Sequence, residues 1–152
     1  MTTEQNSIER QIEIQAPQAK VWKALTDAKQ FGQWFGAAVH SEFVPGKTSK
    51  AMNLAKGYEM KMEFHIKEMT PQSYFSYAWT PFPFDQTFDY SKEQPTLVEF
   101  FLESTPKGTL LRVKESGFNK ITASRRAEAF RMHTGGWEGQ LKNIERFLVE
   151  TK

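Results

Sequence analysis

Residues Ala127, Phe130, Thr134, Trp137, Leu141, Ile144 and Leu148 recur at spacings of three and four with no change of phase. That pattern places them on one face of a long C-terminal α-helix. A helix with one apolar face has to lay it on a partner, and the residues before it read as strands. In YEMKMEFHIKEM, Tyr58, Met60, Met62, Phe64 and Ile66 face one way, while Glu59, Lys61, Glu63, His65 and Lys67 face the other. A sheet with one polar face must cover its other face. The C-terminal helix is the only element long enough to do so.

The remaining elements fill in an α+β order. IERQIEIQ alternates as a first strand, with Ile8, Ile12 and Ile14 on one face together with Arg10. Two short helices follow. The first, after Pro17, carries Val21, Trp22 and Leu25; the second, opened by Asp27 as N-cap, carries Phe31, Trp34 and Phe35. Short strands are expected near Val39–Phe43 and Lys50–Ala55, with a turn at VPGK between them. YFSYAW is a further strand, with Phe75, Tyr77 and Trp79 on one face. TLVEFFLE and TLLRVKE form a hairpin around Pro106–Lys107–Gly108.

The helix contains an anomaly. Gly135 and Gly136 stand beside Trp137, and Gly139 follows, although each glycine in a helix costs roughly 1 kcal/mol relative to alanine. Either the helix breaks and Thr134 caps a new one, or it is continuous. The unbroken phase favours continuity. The glycines would then let a strand or loop approach and turn Trp137 toward a cavity, so Gly136→Ala is expected to lower stability.

Composition removes several classes of function. At 152 residues the chain is expected to form one domain, residues 1–152, large enough for its own core. It has no cysteine, hence no disulfide, thiolate nucleophile or cysteine-ligated metal. No stretch approaches the length of a membrane span, and the start has no apolar signal-peptide core, so a cytoplasmic location is expected. The net charge of +2 is spread along the chain, with Arg125–Arg126 the only dense spot; no nucleic-acid partner is expected. HExxH, GxSxG, Walker A and GxGxxG motifs are missing, so no cofactor, metal or catalytic residue is assigned. Aromatic residues, at 14%, need a destination in a core, a pocket or both.

Several segments together resemble a known family: IQAPQAKVWKALTD, QWFG, FVPG, FSYAW, PTLVEFFLE, GTLLRVKESGF and HTGGWEGQLKNIERFL. Their order is similar to that of the START/Bet v 1-like (SRPBCC) superfamily, in the branch resembling the C-terminal domain of the Hsp90 ATPase activator Aha1 (AHSA1-like). The resemblance covers nearly the whole chain. It implies a helix-grip fold: a curved antiparallel sheet wrapped around the long C-terminal helix, two short helices after the first strand, and a cavity between helix and sheet. It implies no single activity, because that superfamily includes lipid carriers, receptors, cyclases and chaperone regulators.

Individual polar residues give little chemistry. His65 falls on the charged face of its strand, His40 lies beside the first hairpin, and His133 flanks the apolar stripe. Arg10 and Glu115 share faces with apolar residues; a buried carboxylate with a raised pKa would be an acid or base, but both lie near strand ends, where water reaches. The segment Thr80–Pro95 holds Phe82, Phe84, Phe88 and Tyr90 between prolines. It is either a packed flap or a lid over the cavity mouth.

The expected function is binding of an apolar, aromatic or lipid-like small molecule, or regulation, through a cavity lined by Trp34, Phe64, Tyr77, Trp79, Phe130, His133 and Trp137. One alternative is a co-chaperone-like activator of an Hsp90-type chaperone acting through its surface. Because the resemblance is to the C-terminal domain alone, such stimulation is expected to be weak or nil. Another alternative is a cyclase- or hydrolase-like enzyme on a small hydrophobic substrate.

Overall fold

The structure, a computed structural model, describes residues 6–54, 59–80, 93–121 and 123–150. The chain runs β1 (Ser7–Ile14), α1 (Gln18–Thr26), α2 (Ala28–Phe35), β2 (Ala37–Val39), β3 (Thr48–Asn53), β4 (Met60–Thr70), β5 (Tyr74–Trp79), β6 (Thr96–Thr105), β7 (Gly108–Ser116), a 3-10 turn (Phe118–Lys120) and α3 (Ala123–Glu150). The strands form one antiparallel sheet in the order β1-β7-β6-β5-β4-β3-β2. It curves around α3, which packs on β1 and on the two short helices. The α+β helix-grip arrangement is the one expected from the sequence.

Alternation sets the inner face. On β6, Thr96, Val98, Phe100 and Leu102 are buried; on β7, Thr109, Leu111, Val113 and Glu115 are. On β4, Phe64 and Ile66 point in, and a register shift between Ile66 and Glu68 lets Met69 rejoin the core. Asp27 caps α2 by accepting from the Lys29 and Gln30 amides. Trp34 Nε1 donates to the Ala24 carbonyl at 2.8 Å, which locks α2 against α1.

Several expectations change in detail. The strand placed near Val39–Phe43 is shorter and earlier, Ala37–Val39, and Phe43 is buried beyond its end. Ala127 is exposed; Ala129 is the buried alanine. At this end the inward line runs Ala129, His133, Trp137, a four-residue ridge, while Phe130 turns onto Phe118 of the 3-10 turn, ring centroids 5.2 Å apart. Tyr58 and the aromatic residues Phe82, Phe84, Phe88 and Tyr90 lie outside the described residues.

The glycine question has a split answer. α3 is continuous from Ala123 to Glu150, and Thr134 Oγ1 donates back to the Phe130 carbonyl instead of capping a new helix. But a Cβ on Gly135, Gly136 or Gly139 would meet nothing within 4 Å, so close approach is not the reason for them. Among the described residues, the glycines that do permit close approach are Gly32 and Gly108. A Cβ on Gly32 would collide with the Ala37 carbonyl where β2 folds back on α2, and one on Gly108 with the Ile14 carbonyl. Each is where two backbones touch.

Candidate functional site

Glu115 occupies an inward position of β7, two residues past Val113, and no part of it reaches solvent. Its carboxylate is the convergence point of three other elements. Oε1 accepts from His133 Nδ1 at 2.7 Å and from Trp137 Nε1 at 2.8 Å. Oε2 accepts from Trp79 Nε1 at 2.8 Å and from Thr96 Oγ1 at 2.5 Å. His133 and Trp137 are one helical turn apart on α3, so both hang from the same side of it. Trp79 and Thr96 face each other across the β5–β6 ladder.

Four donors fill the acceptor positions of one carboxylate. Burial pushes the Glu115 carboxyl up, but the adjacent His133 and the hydrogen bonds from His133, Thr96 and Trp79 more than offset this, and the group lies below its ordinary 4.5. The raised value that acid–base work by a buried carboxylate would need is therefore missing. The expected contact with water at the strand end is overturned, because α3 and the two indoles cover the group. Arg10 does share the inner face of β1, but it remains partly exposed and reaches Glu138 of α3 at 3.2 Å.

Behind this cluster, Tyr77 is fully buried, and its hydroxyl has no hydrogen-bond partner. Burial and the Glu115 charge push its pKa well above 10.0. In front of the cluster is a small hollow of 110 Å³, bounded by Phe35 of α2, Trp79 of β5 and Met132, His133, Gly136, Trp137 and Gln140 of α3. The Trp79 and Trp137 rings stack at 5.9 Å, and Phe35 lies 5.8 Å from Trp79. Gly136 lines this hollow, and a Cβ there would meet no atom within 4 Å. A larger groove of 940 Å³ runs along the outer side of α2 and β2 past His40. It contains none of the anticipated site residues, and no unpartnered buried polar group among the described residues faces it.

Three of the seven anticipated cavity residues, Trp79, His133 and Trp137, come together at the hollow. Trp34, Phe64 and Tyr77 lie deeper, in the packed aromatic core, and Phe130 packs against Phe118. Glu115, Thr96, Phe35, Met132 and Gln140 were not among the seven. The visible signal for Glu115 was its phase in TLLRVKE; nothing local marked Thr96. His65 pairs with Thr48 at 2.9 Å on the outer face, and His40 is exposed. Arg125 forks onto Glu93 with contacts down to 2.6 Å, and Arg126 donates to the Ile121 carbonyl, so both members of the basic pair have partners within the protein. Among the described residues no cluster of three or more acidic or histidine side chains could hold a metal, and no helix is long and apolar enough to cross a membrane.

A curved sheet gripping a C-terminal helix, with a buried polar cluster beneath that helix, defines a helix-grip domain of the START/Bet v 1-like class. Residues 15–149 match the family described as "Activator of Hsp90 ATPase homolog 1-like protein", and the chain belongs to that family. Protein MLL2253 from Mesorhizobium loti has a similar structure, with TM-score 0.76 and 23% identity over 96% of this chain and 98% of that one. Protein Ms6760 from Mycobacterium smegmatis gives TM-score 0.75 and 16% identity, over 98% and 94% of the two chains. The solution structure of the Aha1 dimer from Colwellia psychrerythraea gives TM-score 0.73 and 19% identity, over 96% and 98%. At these identities the likeness is one of fold. No curated protein matches the chain in sequence.

Proposed function

We propose that this protein is a small-ligand-binding domain that takes an apolar or aromatic molecule in the hollow between α3 at Gly136, Trp79 and Phe35. The observation that carries this reading is the combination of aromatic walls and an open space at a helical glycine. Two of those walls, Trp79 and Trp137, are held by hydrogen bonds to a carboxylate that cannot move to water. Such preorganised apolar surface with few polar groups is what a small-molecule site requires. The hollow is much smaller than a lipid-carrier cavity. At 110 Å³ it is smaller than the enclosed apolar cavity of about 150 Å³ that admits benzene, so it suits a ligand of at most one ring that stays partly outside it. Saturation of Glu115 by four donors supports a positioning role for it over direct acid–base catalysis.

The test is a thermal-shift series with single-ring aromatic and short aliphatic compounds. A compound present at a hundred times its dissociation constant should stabilise the protein by about 2.7 kcal/mol. If no such compound raises the melting temperature, the ligand reading is wrong.

The family description favours a second reading, regulation of an Hsp90-type ATPase through the surface. It predicts several-fold stimulation of ATP turnover by a bacterial Hsp90 when this protein is added. The ligand reading predicts little or none.

A further inference from the structure

Of the side-chain nitrogens and oxygens on the residues that line the hollow, all but one have a hydrogen-bond partner among the described residues. Trp79 Nε1 and Trp137 Nε1 both donate to Glu115. Gln140 Nε2 donates to the Phe35 carbonyl at 2.9 Å, and its Oε1 accepts from Asn143 at 3.0 Å. His133 donates through Nδ1 to Glu115. Its Nε2 makes no hydrogen bond among the described residues, and 16% of the side chain remains accessible.

Glu115 also determines the chemistry of that free nitrogen. A carboxylate can only accept, so the proton on His133 sits at Nδ1. Nε2 is then a bare acceptor in the neutral ring and a donor in the imidazolium. In both states it can share one proton with an oxygen acid, which donates to the neutral ring or accepts from the charged one. Ring orientation is set as well: Trp79 meets the imidazole edge-on at 5.6 Å and Phe118 at 6.1 Å. The result is a cleft with aromatic walls that is also lined by a residue carrying one unpaired ring nitrogen.

We infer that His133, held by Glu115, is the recognition group for an aromatic ligand bearing a hydroxyl, and that the ligand oxygen shares a proton with Nε2 while the ring lies against Trp79 and Phe35. This rests on the hollow being the ligand site. A site built to hydrogen-bond a hydroxyl discriminates against the analogue that lacks it, because Nε2 would be covered without a partner.

The experiment compares phenol, anisole and toluene by calorimetry and by NMR of the 15N-labelled histidine rings. Phenol should bind about tenfold more tightly than anisole, as one net hydrogen bond allows, and should move the His133 Nε2 resonance, whereas toluene should not. His133→Asn keeps an N–H near the Nδ1 position for Glu115 and removes Nε2, so it should bring the phenol-to-anisole ratio to about one. Should that variant not fold, the ring-nitrogen resonance and the ligand ratio in the unaltered protein decide. Equal binding of phenol and anisole would overturn the inference and leave the ligand site standing. Binding of none of the three, toluene included, would overturn both.

Discussion

Around Phe31 the interior is apolar. Phe31 touches Trp34, Phe35, Phe43, Phe64 and Tyr77 at centroid distances of 4.8 to 6.3 Å, mostly edge to face. Around Glu115, under the waist of α3, the interior is equally buried but is organised by a charge. The first region holds the sheet to α2 through shape and apolar area, and many of its contacts are interchangeable. The second holds α3 to β5, β6 and β7 through four hydrogen bonds that end on two oxygen atoms. One region tolerates exchange of similar side chains. The other fixes the position of two indoles and an imidazole, and the hollow lies beside it, with Phe35 of the first region as one wall.

The largest effects should come from emptying either region. Phe64→Ala and Glu115→Ala should each cost about 3–5 kcal/mol at neutral pH, one by leaving a cavity and the other by leaving buried donors and His133 unpaired. Acid separates them. The Glu115 carboxyl lies below 4.5 when folded, so the unfolded chain takes up the proton first. Its contribution is complete above the unfolded value and is lost as the pH falls through the lower folded one. In urea titrations from pH 7 to pH 3, the gap between the unaltered protein and Glu115→Ala should narrow below about pH 4.5, while the gap to Phe64→Ala stays constant. A constant gap for both would remove the electrostatic distinction between the regions.

Smaller effects refine the boundary between them. Tyr77 belongs to the aromatic cluster, but its hydroxyl, under the Glu115 charge, has no partner. Tyr77→Phe should therefore raise stability by about 1–2 kcal/mol, the cost of an unsatisfied buried hydroxyl; a loss on denaturant unfolding would mean the hydroxyl has a partner such as a buried water. Gly136→Ala should raise stability by about 1 kcal/mol, the propensity difference, reversing the expectation drawn from sequence. Gly136→Leu should fold equally well but abolish the thermal shift produced by an aromatic ligand, because its side chain would occupy the hollow.

The contrast also explains how far the sequence could be read. Periodicity identified the strands, the two short helices and the unbroken α3, because inward and outward positions differ in kind along each of them. It placed Glu115 on the inner face beside Val113, yet the general tendency of strand ends to reach water hid its burial. What buries it is Trp79, 36 residues earlier, and Trp137, 22 residues later, and no local pattern encodes such convergence. The glycines misled for a related reason. A helical glycine signals either contact or vacancy, and only the three-dimensional surroundings tell Gly32, pressed on the Ala37 carbonyl, from Gly136, which faces open space. Trp34, Phe64 and Tyr77 were grouped with the cavity because aromatic residues serve cores and pockets alike; here they belong to the packed core.

The central claim is that the ligand site lies against the charged region around Glu115. Crystals of the protein soaked with bromobenzene test it directly, since bromine is located by its anomalous scattering. The account predicts one dominant anomalous peak between Trp79, Phe35 and the backbone of α3 at Gly136. A peak in the groove beside His40 and β2 instead, or no peak in the hollow at saturating bromobenzene, would contradict it.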